Sequence, residues 1–526
     1  MPPVCSPTEQ LADVVDRDVR RYAGPPPLAP GFVVPSALPS RPGPPGAAAA
    51  DTGPKPAAGS SLGKLAVRGG AYLVGREAIG MVIRLAGVVV TVREIGPANY
   101  GIYSAAAAYV LFIAGLAQLG AEIYLMRQPG TVEKARYDEV FTLLLCTSVV
   151  VTAVALALTF AIGPYLRPHG VLLPLRVLLL ATPINILWAP GQACIERRFG
   201  YRQMGVLEVI GDVALYGTAI PMAVLGFGAW SLVAGYIAWQ TWLFAGSLIM
   251  SGLRPRWRWS TATSRELIHH GLSYSSANWI LRLQGLVNPL VVGTVAGAAG
   301  VGFVAFAQRL VDTVGFAQRG AYRLGLVAMS KVRDDEQHRL RYGLERGSLL
   351  QLIALAVPFG CFGIAAHWVV PALFGAEWAR AIPVYSLLAL CSVMNASCLI
   401  QNTLLLSRGQ NLRVAGGAAV QTAVTVVAAV ALVPVLGIDG FGLASVVALV
   451  DLAYTNHMVR RLTGFSYRSM VPFALALCPP VLMPLVPLAA APLLFLPMAV
   501  AATLPSVRSE VVQLATLVRS SLRPGT

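Results

Sequence analysis

The chain has 526 residues, 56% of them hydrophobic and only 12% charged, with a mean hydropathy of +0.66. A soluble domain carries roughly 25% charge, so this composition excludes a soluble enzyme and requires lipid against much of the surface. The net charge of +16 would suggest nucleic acid, but the basic residues sit in short segments between apolar stretches, the pattern that encodes membrane topology. No nucleic-acid partner is expected.

Residues 1–62 hold 14 of the 37 prolines beside Ala-rich runs. Such a segment buries too little apolar surface to offset its ordering entropy, and it lacks the h-region of a secretory signal. It is expected to be a disordered cytoplasmic tail. The chain then becomes a string of apolar segments, each near the ~20 residues a bilayer needs. They fall at 71–92, 100–125, 139–162, 171–191, 206–226, 229–250, 272–295, 301–328, 347–370, 381–405, 413–434, 440–459, 471–488 and 490–505. The predicted fold is an all-α polytopic membrane protein of about 14 transmembrane helices. Its expected parts are an N-terminal six-helix lobe (63–252), a C-terminal six-helix lobe (253–465), and a C-terminal helix pair with a short cytoplasmic tail (466–526). Pro479, Pro480, Pro484, Pro487, Pro492 and Pro497 interrupt that last pair, so twelve helices and a re-entrant hairpin are the alternative.

The loops alternate in charge. One side carries 19 basic residues, among them Arg197, Arg198, Arg202, Arg254, Arg256 and Arg258; the other has Arg93, Arg167 and Arg380. Basic loops are cytoplasmic, which predicts a multi-pass protein of the bacterial inner membrane with both termini in the cytoplasm. The short opposite loops leave no room for a catalytic domain, and no GxxxxGK[ST] motif occurs. Seven scattered cysteines form no CxxC pair, so neither disulfides nor a metal site is supported. No catalytic residue, metal or cofactor is expected.

An internal repeat is present. Gly96, Ala98, Gly101 and Ala106, at the junction of helices 1 and 2, match Gly297, Ala299, Gly302 and Ala307, at the junction of helices 7 and 8, at one constant offset. Two bundles in the same orientation place a pseudo-twofold axis along the membrane normal, as in transporters whose halves rock about a central site.

Ionisable residues inside a span cost about 2.5–3.5 kcal/mol on insertion scales and therefore mark function or pairing. Arg84 lies near the middle of helix 1, with Arg76 nearer its start, and Arg282 near the middle of helix 7. Helix 8 carries Arg309, Asp312, Arg319 and Arg323 within an arc of roughly 80°, a charged stripe expected to face an aqueous cavity. Arginine suits bidentate phosphate recognition and keeps its charge when desolvated. These six arginines are the candidate lining of a cationic, substrate-binding cavity. Snorkelling to the interface is the alternative for Arg76, Arg319 and Arg323, and a self-neutralising pair is the alternative for Arg309 with Asp312. Candidate ion-coupling acids are Asp312, Asp451, Asp212 and Glu208, although packing against Arg197, Arg198 or Arg202 is the favoured account of the last two. Pro289, Pro183 and Pro358 are expected to kink helices 7, 4 and 9.

Several segments then resemble one family. Gly96–Tyr103 (GPANYGIY) with Leu119-Gly120-Ala121 and Arg127 resembles the opening of Wzx-type polysaccharide flippases. Glu196-Arg197-Arg198-Phe199, Tyr201-Arg202 and Gly226–Val233 resemble their helix 4–6 region. Leu373–Trp378 with Ala381, Gly409-Gln410 and Leu436–Gly440 continue the pattern through about residue 465. The family belongs to the multidrug/oligosaccharidyl-lipid/polysaccharide exporter superfamily. The resemblance implies two six-helix lobes around a cationic cavity and translocation of an undecaprenyl-pyrophosphate-linked oligosaccharide from the cytoplasmic to the periplasmic leaflet. That step serves exopolysaccharide, capsule or O-antigen (lipopolysaccharide) synthesis, with polysaccharide polymerase and co-polymerase as partners. Many relatives carry an acid near the middle of helix 7, where this chain reads Leu286-Val287-Asn288-Pro289. The competing readings are a drug/cation antiporter, disfavoured by a basic cavity; a membrane glycan polymerase, disfavoured by short loops; and a non-transporting scaffold of polysaccharide assembly.

Overall fold

The computed structural model describes residues 59–315, 337–407, 410–465, 467, 470–487 and 490–503. The chain divides into two compact units, 1–67 and 68–526. In the first, residues 59–67 are helical; the rest of that expected tail lies outside the described residues. Among the described residues all regular structure is helical.

The helix α1 (Gly59–Ala117) is nominally 59 residues long, about 90 Å at 1.5 Å per residue and some three bilayer cores. It breaks at Gly96, whose φ of 72° and ψ of 171° fall in a region open essentially to glycine alone. Pro97, which has no N–H to continue the ladder, starts the second arm. Leu119 and Gly120, at φ 50° and 66°, separate that arm from α2 (Ala121–Arg127). The next helix is α3 (Lys134–Ile162). A bent span follows: α4 (Leu172–Leu180), then α5 (Thr182–Leu187) and α6 (Ala189–Arg197), with a 44° bend beside Pro183. The first half closes with α7 (Tyr201–Val224) and α8 (Ala229–Ser251).

The second half repeats the scheme. Its first helix, α9 (Thr261–Gln284), gives way to a π turn at Asn288–Val292 that contains Pro289. Then come α10 (Gly297–Val314), α11 (Gln337–Phe374), α12 (Ile382–Ser407), α13 (Asn411–Leu436), α14 (Ile438–Val447) and α15 (Asp451–Thr463). Pro358 sits inside α11 without ending it.

Close contacts gather six turns at one end of the molecule. A Cβ on Gly170 would lie 3.2 Å from Ile102, one on Gly228 would lie 2.9 Å from Asn99, and one on Gly300 would lie 3.4 Å from Ile438. Likewise Gly96 would meet Glu377 at 3.9 Å and Gly293 would meet Pro168 at 3.3 Å. These are the turns that the sequence places on the side poor in basic residues. The halves also match in backbone detail. Gly228 and Gly437, which start α8 and α14, have φ/ψ of 55°/−127° and 61°/−138°.

Among the described residues eight helices are long and apolar enough to span a bilayer, or nine with the bent pair counted; the fourteen expected from sequence are not reached. The two arms of α1 count once, and α9 is polar along much of its length. Helix 8 is described only to residue 315. At the C-terminal end α16 (Val471–Leu477), a 3-10 turn at Pro479–Leu485, and α17 (Leu496–Thr503) make short apolar pieces interrupted by proline. The 3-10 turn and α16 pack on α11, where Gly360 and Gly363 admit Pro480 and Pro484, and α17 packs on α16.

Candidate functional site

Two glycines decide how α7 meets α1 and α8. A Cβ on Gly87 would stand 2.2 Å from the Tyr216 ring, so the ring lies directly on the α1 backbone. On α7, Gly211 leaves room for the Trp239 indole of α8 at 2.8 Å. Small residues permit such close approach between membrane helices. With Tyr216 seated beside Gly87, Asp212 is one turn earlier on α7 and faces Arg84 on α1. Arg84 Nη1 donates to Asp212 Oδ2 at 2.8 Å, with side-chain exposures of 32% and 11%.

This pair opens onto a cavity of about 980 Å³. The first half contributes Arg84, Glu208, Asp212, Tyr216 and Trp239; the second contributes Gln284, Gln308, Arg309, Asp312 and Asn395. Arg309 and Asp312, in the C-terminal part of α10, are solvent-exposed, and both line the chamber. Gln308 donates to Asp312 Oδ1 at 3.3 Å, and Arg309 faces Tyr100, Tyr103 and Tyr216. The chamber therefore sets charged, amide and aromatic groups from both halves in a largely apolar wall.

The described lining carries both signs of charge. Among the described residues the chamber has two arginines, Arg84 and Arg309, against three carboxylates, Glu208, Asp212 and Asp312. Asp212 pairs with Arg84 across helices, whereas two of the three loop arginines expected beside it, Arg197 and Arg198, are engaged elsewhere. Arg197 donates to the carbonyls of Leu125, Met126 and Gln128 at 2.8–3.0 Å and also bonds Gly130. Arg198 reaches Ser251 O at 3.2 Å.

Arg282 is also placed differently: it is not among the residues lining the chamber. Its Nη1 donates to Leu111 O at 3.0 Å, and Trp279 Nε1, one turn earlier, donates to Gly115 O at 2.9 Å. A Cβ on Gly115 would collide with Arg282 Cδ at 2.5 Å, so the pair ties α9 to the second arm of α1. Asp451, which begins α15, lies outside the lining too, and its Oδ1 is buried with no hydrogen-bond partner among the described residues. Arg76, Arg319 and Arg323 fall outside the residues described at side-chain level. No cluster able to hold a metal occurs among the described residues.

Sequence reasoning missed the aromatic lining. Glu208, Asp212 and Tyr216 recur every fourth residue, one helical face, and that spacing was the available signal for Tyr216.

A family profile described as "Polysaccharide biosynthesis protein" matches residues 90–383, more than half of the chain. The chain belongs to the polysaccharide biosynthesis protein family. This family member is 25% identical over 325 residues to the succinoglycan biosynthesis transport protein ExoT of Rhizobium meliloti (strain 1021). The match covers 59% of this chain and 63% of ExoT, just under two thirds of that protein. Its fold is similar to that of the lipid II flippase MurJ in an inward closed conformation, with a TM-score of 0.66, 11% identity, and 86% of this chain and 100% of MurJ covered. It is also similar to an inward-facing multidrug resistance MATE transporter of the MOP superfamily, with a TM-score of 0.57, 16% identity and 75% and 99% covered. The chain is thus a multi-pass membrane protein of polysaccharide biosynthesis with the fold of the MOP-superfamily transporters.

Proposed function

We propose that this protein flips a polyprenyl-pyrophosphate-linked oligosaccharide from the cytoplasmic to the periplasmic leaflet of the inner membrane, and that it transports rather than catalyses. The observation carrying this reading is the chamber shared by the two halves, with Arg84 and Arg309 facing it from α1 and α10. Guanidinium forks suit the pyrophosphate, while the Tyr and Trp faces and the amides suit sugar rings. A cavity of about 980 Å³ is at the upper end of ligand sites and accepts a headgroup while the polyprenyl tail stays in lipid. The ExoT and MurJ likenesses support a glycan-linked cargo. The lobes 63–252 and 253–465 would rock about the chamber, with the segment 466–526 attached to the second. Both termini would be cytoplasmic, and polymerase and co-polymerase would receive the product.

The test is a proteoliposome assay with a labelled polyprenyl-pyrophosphate glycan, read by an impermeant glycosidase added outside. Protein-dependent loss of protected substrate is expected, with Arg84→Gln and Arg309→Gln each slowing it at least tenfold. Absence of translocation by intact, folded protein would overturn the reading. One observation favours a second reading, a drug/cation antiporter: the three carboxylates of the lining. Export of ethidium from the same vesicles, with the glycan ignored, would establish it.

A further inference from the structure

The two halves meet backbone to backbone at one place. A Cβ on Gly101 would lie 1.8 Å from Ala298 O and 2.8 Å from Gly302 N. Reciprocally, a Cβ on Gly302 would lie 2.0 Å from Pro97 O and 3.1 Å from Gly101 N. One offset of 201 residues relates both members (101 to 302, 97 to 298), so the contact sits on the axis of the internal repeat. Directly against it packs Trp378, 1% exposed, with ring centroids 5.7 Å from Tyr100, 5.9 Å from Phe303 and 4.5 Å from Phe306. Arg93 adds a bond from α1 to Ala372 O at 3.5 Å. The chamber is lined by α1 residues from Met81 to Val92, and by Tyr100 and Phe306. It therefore lies on the basic-loop side of the contact and ends at it.

We propose that the Gly101–Gly302 seam is the outer gate: closed here by carbonyl-to-glycine contact, it parts along the repeat axis to open the chamber to the opposite face. This rests on the alternating-access reading above. No residue larger than glycine fits at either position without displacing a backbone carbonyl, so side-chain size there sets the balance between closed and open gate. A clash of this kind has no flexible atom to absorb it, and the strain of overpacking is relieved by the motion that opens the gate. Because both seam members belong to helices that also line the chamber, opening would move Tyr100 and Phe306 apart together.

The test uses the full chain in oriented vesicles with its other cysteines replaced and Gln308→Cys as a reporter in the chamber. An impermeant maleimide is applied from each side. With the seam intact, labelling is expected from the basic-loop side. Gly101→Leu or Gly302→Leu should raise labelling from the opposite side about tenfold or more, the scale of an ordinary conformational coupling. Unchanged labelling in a variant that still labels normally from the basic-loop side overturns the gate. Should both variants fail to fold, spin labels at Leu225→Cys and Val435→Cys, in the matching turns of the two halves, report on an intact seam. Their separation should lengthen while glycan or ethidium is being transported, and a fixed distance under turnover overturns the proposal. The labelling assay needs no cargo, so a seam that opens in a protein that flips no glycan would remove the cargo reading and leave the gate standing.

Discussion

Removing either member of the Arg84–Asp212 pair should cost different amounts, because the two side chains sit at different depths. Asp212 is 8% exposed as a residue, while about a third of the Arg84 side chain reaches the wet chamber. A charge-assisted hydrogen bond contributes about 1.5–3 kcal/mol, and breaking a fully buried pair costs about 3–5 kcal/mol. This pair is half open, so the expected coupling is about 1–2 kcal/mol after discounting for water. Arg84→Gln takes the cation from the more buried carboxylate and should destabilise by about 2–3 kcal/mol. Asp212→Asn leaves the arginine in contact with chamber water and should cost about 1 kcal/mol.

The assay is a double-mutant cycle on Arg84→Gln, Asp212→Asn and both, followed by unfolding in mixed micelles with increasing dodecyl sulfate. The double variant should be no worse than Arg84→Gln alone. Additive losses, within about 0.3 kcal/mol of zero coupling, would refute the reasoning. The charge swap Arg84→Asp with Asp212→Arg should recover most of the stability yet fail in glycan transport. That outcome separates the pair's structural contribution from the placing of a guanidinium on α1.

Three other outcomes are expected. Gly87→Val should destabilise by about 1–3 kcal/mol, since its side chain enters the Tyr216 ring at 2.2 Å; combining it with Tyr216→Ala in the same unfolding assay should recover part of the loss. Arg282→Ala should lower stability by about 1–2 kcal/mol through the lost bond to Leu111 O, without changing the midpoint for binding a labelled polyprenyl-pyrophosphate glycan. A large change in that midpoint would return Arg282 to the site. Trp378→Ala should cost about 3–5 kcal/mol, because it empties the ring cluster beneath the seam, and thermal unfolding in detergent would measure it.

The membrane architecture was legible because bilayer thickness imposes length and hydropathy on every span, and because the turn glycines carry backbone needs that no other residue meets. Gly96 and Gly297 were visible as a repeat, and both have positive φ at 72° and 65°. What escaped was who faces whom. Depth marked Arg84 and Arg282 equally, yet one looks into the chamber and the other reaches the carbonyl of Leu111. A helix acceptor on a neighbouring element leaves no mark in sequence. The Arg84–Asp212 pair escaped for the same reason: Gly87 lets α7 sit against α1 and brings together two residues far apart in the chain. Individual spans are hardest to count where proline and polar residues make them unlike the average, in α9 and in the pieces from 471 to 503.

The mixed charge of the chamber bears on how a flippase of the proposed cargo would work. A ligand moves an equilibrium only by its differential affinity for the two states, and a lining of arginines alone would hold a pyrophosphate tightly in both. Asp212 supplies a competing anion that already occupies Arg84 in the closed-gate state. Entry of the headgroup must displace that carboxylate, and departure lets it return, so the arginine exchanges one acidic partner for another and is never left bare in a low-dielectric wall. The cost of releasing the cargo falls by what the returning pair recovers. On this view the carboxylates that weaken a simple cationic-cavity argument are what keep the site from becoming a trap. The sequence could suggest the arginines by their depth, but only the packing of Tyr216 on Gly87 reveals their counterweight.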